Sequence, residues 1–172
     1  MKNIDRQYPI GKFAYQENYT AEELSRNIQR LTDFPQALEQ LAGSLTEQQL
    51  NQPYREGGWT ARQVIHHLAD SHMHAYIRCK WTLTEDNPVI KAYDDKAWAL
   101  TPDNAANPKI AVGLLKNLHA RWTFLLAALT QEQLKKFFIH PQTQRQISVE
   151  QLIALYAWHG EHHLAHLKLI SD

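Results

Sequence analysis

The chain has 172 residues, 44% of them hydrophobic and 21% charged, which suffices for one globular domain and scarcely for two. Its 18 basic and 18 acidic residues cancel, so no long-range field gathers nucleic acid or an anionic membrane surface, and charge-driven DNA binding is disfavoured. One cysteine, Cys79, cannot form an internal disulfide, the leading Met1 to Arg6 lack a signal peptide's apolar core, and the densest apolar run, Phe124 to Leu129, is too short to cross a bilayer, so a soluble cytoplasmic protein is expected.

Helix start signals divide the chain. Thr20 with Glu23, Thr60 with Gln63 and Ser148 with Gln151 have the spacing of capping boxes, in which two side chains satisfy orphan amides at a helix N-terminus. Asn107 before Pro108 is a fourth start, because a proline at the first helical position gives up no hydrogen bond. Behind the first start, Leu24, Ile28, Leu31, Leu38 and Leu41 recur at helical spacing, with Pro35 placed to kink that helix. Behind the Asn107 start, Ile110, Leu114, Leu118, Trp122, Leu125 and Leu129 do the same. No segment shows the sustained alternation of a strand. Four helices, each with one face to bury, are predicted.

The connections over 43–59, 85–106 and 130–147 are long enough for crossovers rather than only tight hairpins. Leu45-Thr46-Glu47-Gln48-Gln49-Leu50 is echoed by Leu129-Thr130-Gln131-Glu132-Gln133-Leu134, a short internal similarity.

Eight of the ten histidines fall in two clusters, His66, His67, His72 and His74, then His159, His162, His163 and His166. On a wheel of the last helix, Leu152, Leu155, Tyr156 and Ile170 share one face and Glu150, Glu161 and Lys168 lie opposite. His159 and His163 straddle the apolar face one turn apart, the arrangement in which two imidazoles can share a metal. A His162/His166 pair is geometrically possible but less central. On the second helix His67 borders the apolar stripe and His72 lies deeper in it, so the wheel leaves both open as a third ligand and slightly prefers His72. His66 and His74 read as exposed or boundary residues. Three histidines from two helices would make a neutral site suited to zinc, and also to nickel, cobalt or iron(II), with a fourth position open to water for hydrolysis or to a thiolate for transfer.

Asp70, one turn from His67, reads equally as a partner or proton acceptor for an imidazole and as a solvated helix carboxylate. Glu161 points away. Trp98 and Tyr93 could wall a substrate pocket, and Cys79 reads as a small buried residue. A fourth protein ligand such as His72 or Asp70 would instead make a closed, metal-stabilised binding module without turnover.

Four segments together, Tyr8 to Phe13, Gly57 to Met73, Leu83 to Pro88 and Trp158 to His166, resemble the YfiT-type metal-dependent hydrolases of the DinB-like superfamily. The resemblance spans nearly the whole chain. It implies an all-α four-helix bundle with long crossover connections, in which helix order departs from simple up-down alternation. It also implies one divalent metal ion per subunit, usually zinc and in some members nickel, held by the histidine preceding Leu68-Ala69-Asp70, which is His67, together with His159 and His163. Hydrolysis of a small-molecule substrate, or transfer of a low-molecular-weight thiol such as bacillithiol to an electrophile, and a homodimer follow as expectations.

Overall fold

The computed structural model describes residues 5–171, so Met1 to Ile4 of the leading segment lie outside it. In chain order the helices are α1 (Ala21–Ser44), α2 (Glu47–Leu50), α3 (Ala61–Thr84), α4 (Asp95–Trp98), α5 (Pro108–Ala127), α6 (Gln131–Lys135) and α7 (Val149–Ser171). Each long helix begins where the caps place it. Thr20 and Thr60 close reciprocal capping boxes, Asn107 accepts from the Lys109 amide, and Ser148 exchanges bonds with Gln151. Pro35 sits within α1, which continues through it. The internal echo is structural as well: α2 and α6 are each one-turn helices opened by a capping box, Thr46 with Gln49 and Thr130 with Gln133, and each buries one leucine, Leu50 or Leu134.

The long helices form a ring in which α1 touches α5 and α7, and α3 touches those same two. Helices α1 and α3 therefore face each other across the diagonal, as do α5 and α7. The buried side chains give the directions. One apolar cluster contains Leu31, Cys79, Trp122 and Leu152, and a second contains Leu38, Leu68, Leu115 and Leu167. Helices α1 and α7 pass from the first cluster to the second, while α3 and α5 pass the other way. The order is thus up, down, down, up, and the chain between α3 and α5 must return along the bundle. Helix α3, 24 residues long, spans about 36 Å, which residues 85–107 cover with slack. This slack is taken up by α4 and a 3-10 turn at Pro102–Ala105.

A two-stranded antiparallel hairpin, β1 (Phe137–Ile139) with β2 (Gln146–Ser148), fills the last connection, its register pairing Phe138 with Ile147. Three-residue strands are too short to show alternation, which is why the sequence gives no sign of them. The bulk of the connection packs on the bundle through Phe138 and Ile147. Glu150, placed opposite the apolar face by the wheel, is in fact buried at 1% exposure, because α6 brings Lys135 Nζ to within 2.7 Å of its carboxylate.

Between the two apolar clusters lies a layer of histidine. His72 on α3, His119 on α5 and His163 and His166 on α7 are buried at this level. This layer positions the candidate site.

Candidate metal centre

The structure brings His67, His159 and His163 together: one ring nitrogen from each lies within 4.8 Å of the others, and among the described residues these three form the one such group. The four-residue spacing on α7 puts the rings of His159 and His163 4.6 Å apart, and α3 delivers His67 to 5.4 and 5.0 Å from them. His67 and His163 are buried and His159 partly so. Burial lowers the His67 imidazole to about 4, and burial reinforced by the neighbouring histidines holds His159 and His163 well below the ordinary histidine range. All three are therefore neutral near pH 7, with a lone pair to offer. Nε2 of His67 and Nε2 of His159 stand 3.4 Å apart. Two imidazoles on one tetrahedral ion, with bonds of about 2.0 Å, have their nitrogens about 3.3 Å apart, so the pair fits such an ion.

The hydrogen-bond order fixes which nitrogen carries each proton. Pro35 has no N–H, so the Leu31 carbonyl one turn earlier has no helical donor. His119 Nδ1–H donates to it at 2.7 Å. Burial keeps the His119 imidazole low, at about 4, and hence neutral, so its Nε2 is bare and accepts from His72 Nδ1–H at 2.8 Å. The bare Nε2 of His72 in turn accepts from His159 Nδ1–H at 3.2 Å, which leaves His159 Nε2 unprotonated and facing His67. A second arm has the same polarity. His166 Nε2–H donates to the Gln7 carbonyl, and its Nδ1 accepts from His163 Nδ1–H, each at 3.3 Å, leaving His163 Nε2 bare. Oriented imidazoles of this kind are what metal sites require of their supporting shell. Stacking holds the relays in plane: Phe34 on His72 at 5.2 Å and Tyr54 on His166 at 3.9 Å.

His72 is therefore turned toward His159 and His119 and not toward the three converging nitrogens. His119, absent from the sequence-derived candidates, belongs to this network through a carbonyl 88 positions away. Asp70 is not among the residues lining the cavity in front of the centre; burial, with Asp103 nearby, raises its carboxyl to about 6. His66, expected to be exposed or at the boundary, is buried with Nε2 3.2 Å from the Ala106 carbonyl, because the crossover covers it. His74 lies at the boundary as expected, stacked 4.2 Å from Tyr93. Glu161 is exposed and paired with Arg30 at 2.5 Å.

A cavity of about 460 Å³ opens on the three histidines, walled by Trp59, Trp158, Tyr156 and Tyr93. Tyr93 thus lines it as expected, while Trp98 backs Tyr93 with ring centroids 5.0 Å apart. Ser71 Oγ donates to the Tyr156 hydroxyl at 3.4 Å within the same wall.

Comparison with known proteins places the chain in a family. The DinB superfamily model matches residues 30–167. YfiT from Bacillus subtilis (strain 168) is 46% identical over 172 residues, 99% of this chain and 97% of its own. Its solved structure, described as "a probable metal-dependent hydrolase with an unusual four-helix bundle topology", superposes with a TM-score of 0.96 over 98% of this chain and 97% of that one. A relative from Bacillus cereus (strain 03BB102) that bears the same kind of name is 46% identical over 163 residues, 95% of this chain and 94% of its own. The mycothiol-dependent maleylpyruvate isomerase shares the fold, with a TM-score of 0.68 at 14% identity over 84% of this chain and 60% of that one. A family model over most of the chain, and near-half identity to YfiT along all of it, establish that this protein belongs to the DinB superfamily, among its YfiT-like members.

Proposed function

We propose that His67, His159 and His163 hold one divalent ion, zinc in preference to nickel, and that the protein is a metal-dependent hydrolase of a small-molecule substrate. The observation that carries this reading is the convergence of three neutral imidazoles, and of no fourth histidine, cysteine or carboxylate among the described residues, at the floor of an open cavity. Three protein ligands leave a coordination position free, which separates a catalytic site from a closed structural one and disfavours the non-catalytic binding module. When bound, such an ion acts as a Lewis acid and lowers the pKa of a coordinated water to about 7.

The chain's own residues supply the rest. The two relays hold the imidazoles of His159 and His163 in the ligating tautomer without adding a carboxylate, so the centre keeps its positive charge. Trp59 and Trp158 restrict water at the cavity wall, and the Tyr156 hydroxyl stands ready to donate to negative charge developing on a substrate oxygen.

One observation favours a second reading, transfer of a low-molecular-weight thiol to an electrophile. Among the described residues Asp95 is the one carboxylate lining the cavity, and it is exposed at the rim, so general bases for hydrolysis are few while a metal-held thiol needs none. The same account includes pairing of two copies, supported by an exposed apolar stripe of Ile110, Leu114 and Phe124 on α5.

The test offers zinc-loaded protein ester and amide substrates, and in parallel monochlorobimane with and without bacillithiol or glutathione. Ester or amide turnover that disappears in His163→Ala is expected. Thiol-dependent turnover alone selects transfer, and no turnover in any arm overturns the enzymatic reading.

A further inference from the structure

The cavity has a second polar end that the proposed centre does not use. At 100° per residue, positions 67, 71, 74 and 78 of α3 return to within about 60° of one another, so one face of the helix carries His67, Ser71, His74 and Arg78. His67, Ser71 and Arg78 all line the same cavity. Eleven residues separate His67 from Arg78, about 16 Å of helix axis, and the arginine stem leans back toward the N-terminus and closes part of that distance.

Arg78 is 9% exposed. Among the described residues no carboxylate lies within 4.0 Å of it, its Nη2 donates to the Lys91 carbonyl at 3.3 Å, and its buried Nε has no hydrogen-bond partner. A guanidinium has five N–H donors and cannot shed its charge, so burial without a counter-ion is costly unless an anion arrives from outside. Asp95, exposed, is the one carboxylate among the described residues that line the cavity, and two neutral imidazoles stand near Arg78. His140, from the hairpin loop, lines the cavity beside it with Nδ1 buried and unpartnered, and burial, with the Arg78 charge adding to it, depresses the imidazoles of both His74 and His140. Gln142 of the same loop adds an amide to the wall.

We propose that Arg78 is the anchor for a carboxylate on the substrate, so that the protein acts on elongated anions whose reacting group lies at the three histidines and whose carboxylate lies at the far end of the cavity. A guanidinium presents paired N–H donors that match the two oxygens of a carboxylate, and the single bond to the Lys91 carbonyl leaves Arg78 with Nη donors to spare. This inference rests on the three-histidine reading for the position of the reacting group, but the carboxylate pocket itself does not require a metal.

The experiment keeps the two apart. In metal-free protein the Arg78 Nε–H resonance is followed by NMR during titration with hexanoate, butyl phosphate and hexanamide; zinc-loaded protein is then titrated calorimetrically with suberate and with octanoate. The expected result is a saturable shift of the Arg78 resonance with hexanoate, a weaker one with butyl phosphate and none with hexanamide. In the zinc-loaded protein suberate binds about tenfold more tightly than octanoate, and that advantage vanishes in Arg78→Gln while zinc affinity stays unchanged. Because Arg78→Gln removes an unpaired buried charge, its melting temperature does not fall, which separates an anchoring role from a structural one. No shift with hexanoate, or a suberate preference that survives in Arg78→Gln, overturns the proposal. A stronger response to butyl phosphate overturns the choice of carboxylate. Failure of wild type to bind zinc overturns the metal centre alone.

Discussion

His119 touches none of the three converging imidazoles directly, yet replacing it tests the logic of the site. In His119→Leu the Leu31 carbonyl loses the donor that Pro35 cannot supply, and His72 Nδ1–H loses its acceptor. Two buried polar groups left unpaired cost about 1–3 kcal/mol each, against which the buried leucine returns about 2 kcal/mol, for a net loss of about 2 kcal/mol. The larger consequence lies downstream. His72 becomes free to protonate either nitrogen, and His159 is no longer held with Nε2 bare, so zinc affinity falls about 10- to 100-fold. His119→Gln keeps one donor and one acceptor on a single planar group and restores most of that affinity. The assay is zinc competition against a chromophoric chelator, with melting temperature as the fold control and imidazole ¹⁵N shifts reporting the His159 tautomer. Wild-type zinc affinity in a folded His119→Leu protein, or an unchanged His159 tautomer, would refute the relay.

The remaining expectations concern packing, pH and assembly. A Cβ at Gly160 would lie 2.9 Å from the Phe34 ring that stacks on His72, so Gly160→Ala destabilises by about 1–3 kcal/mol in thermal denaturation and weakens zinc binding; an unchanged melting temperature contradicts the packing argument. Burial lowers the folded His119 to about 4 from 6.5, so on acidification the unfolded chain takes the proton first. The contribution of His119 to the stability of the metal-free protein is complete above pH 6.5, declines by about 3 kcal/mol between pH 6.5 and 4, and is lost below; a flat urea midpoint across that window would count against it. Phe124→Glu, at a side chain 82% exposed on the α5 stripe, is expected to convert a dimer to monomer in sedimentation equilibrium without changing the fold, and identical sedimentation of variant and wild type removes that interface.

What was legible in the sequence was what is local. Capping boxes and helical periodicity depend on residues three and four apart, so Thr20, Thr60, Asn107 and Ser148 marked the long helices, and His159 with His163 stood out because their spacing alone sets their rings side by side. The wheel could not separate His67 from His72, since both point inward: His67 reaches the cavity and His72, with 0% exposure, the core of the polar layer. The resemblance resolved in favour of His67 what periodicity left open, and the structure brings His67 to the other two. His119 carried no local signal because its partners, Leu31 and His72, are remote in sequence and meet it only when α1, α3 and α5 pack. The burial of Glu150 and His66 had the same cause, each being covered by a connection, α6 or the crossover, whose path the sequence does not specify.

The central claim is that His67, His159 and His163 hold one ion and leave it a free position. X-ray absorption spectroscopy with elemental analysis on purified protein tests it most directly: the account predicts one divalent ion per chain with three imidazole nitrogens in its shell, lost in a folded His163→Ala variant. Wild type without a stoichiometric ion, or an ion ringed by four protein ligands, would contradict it.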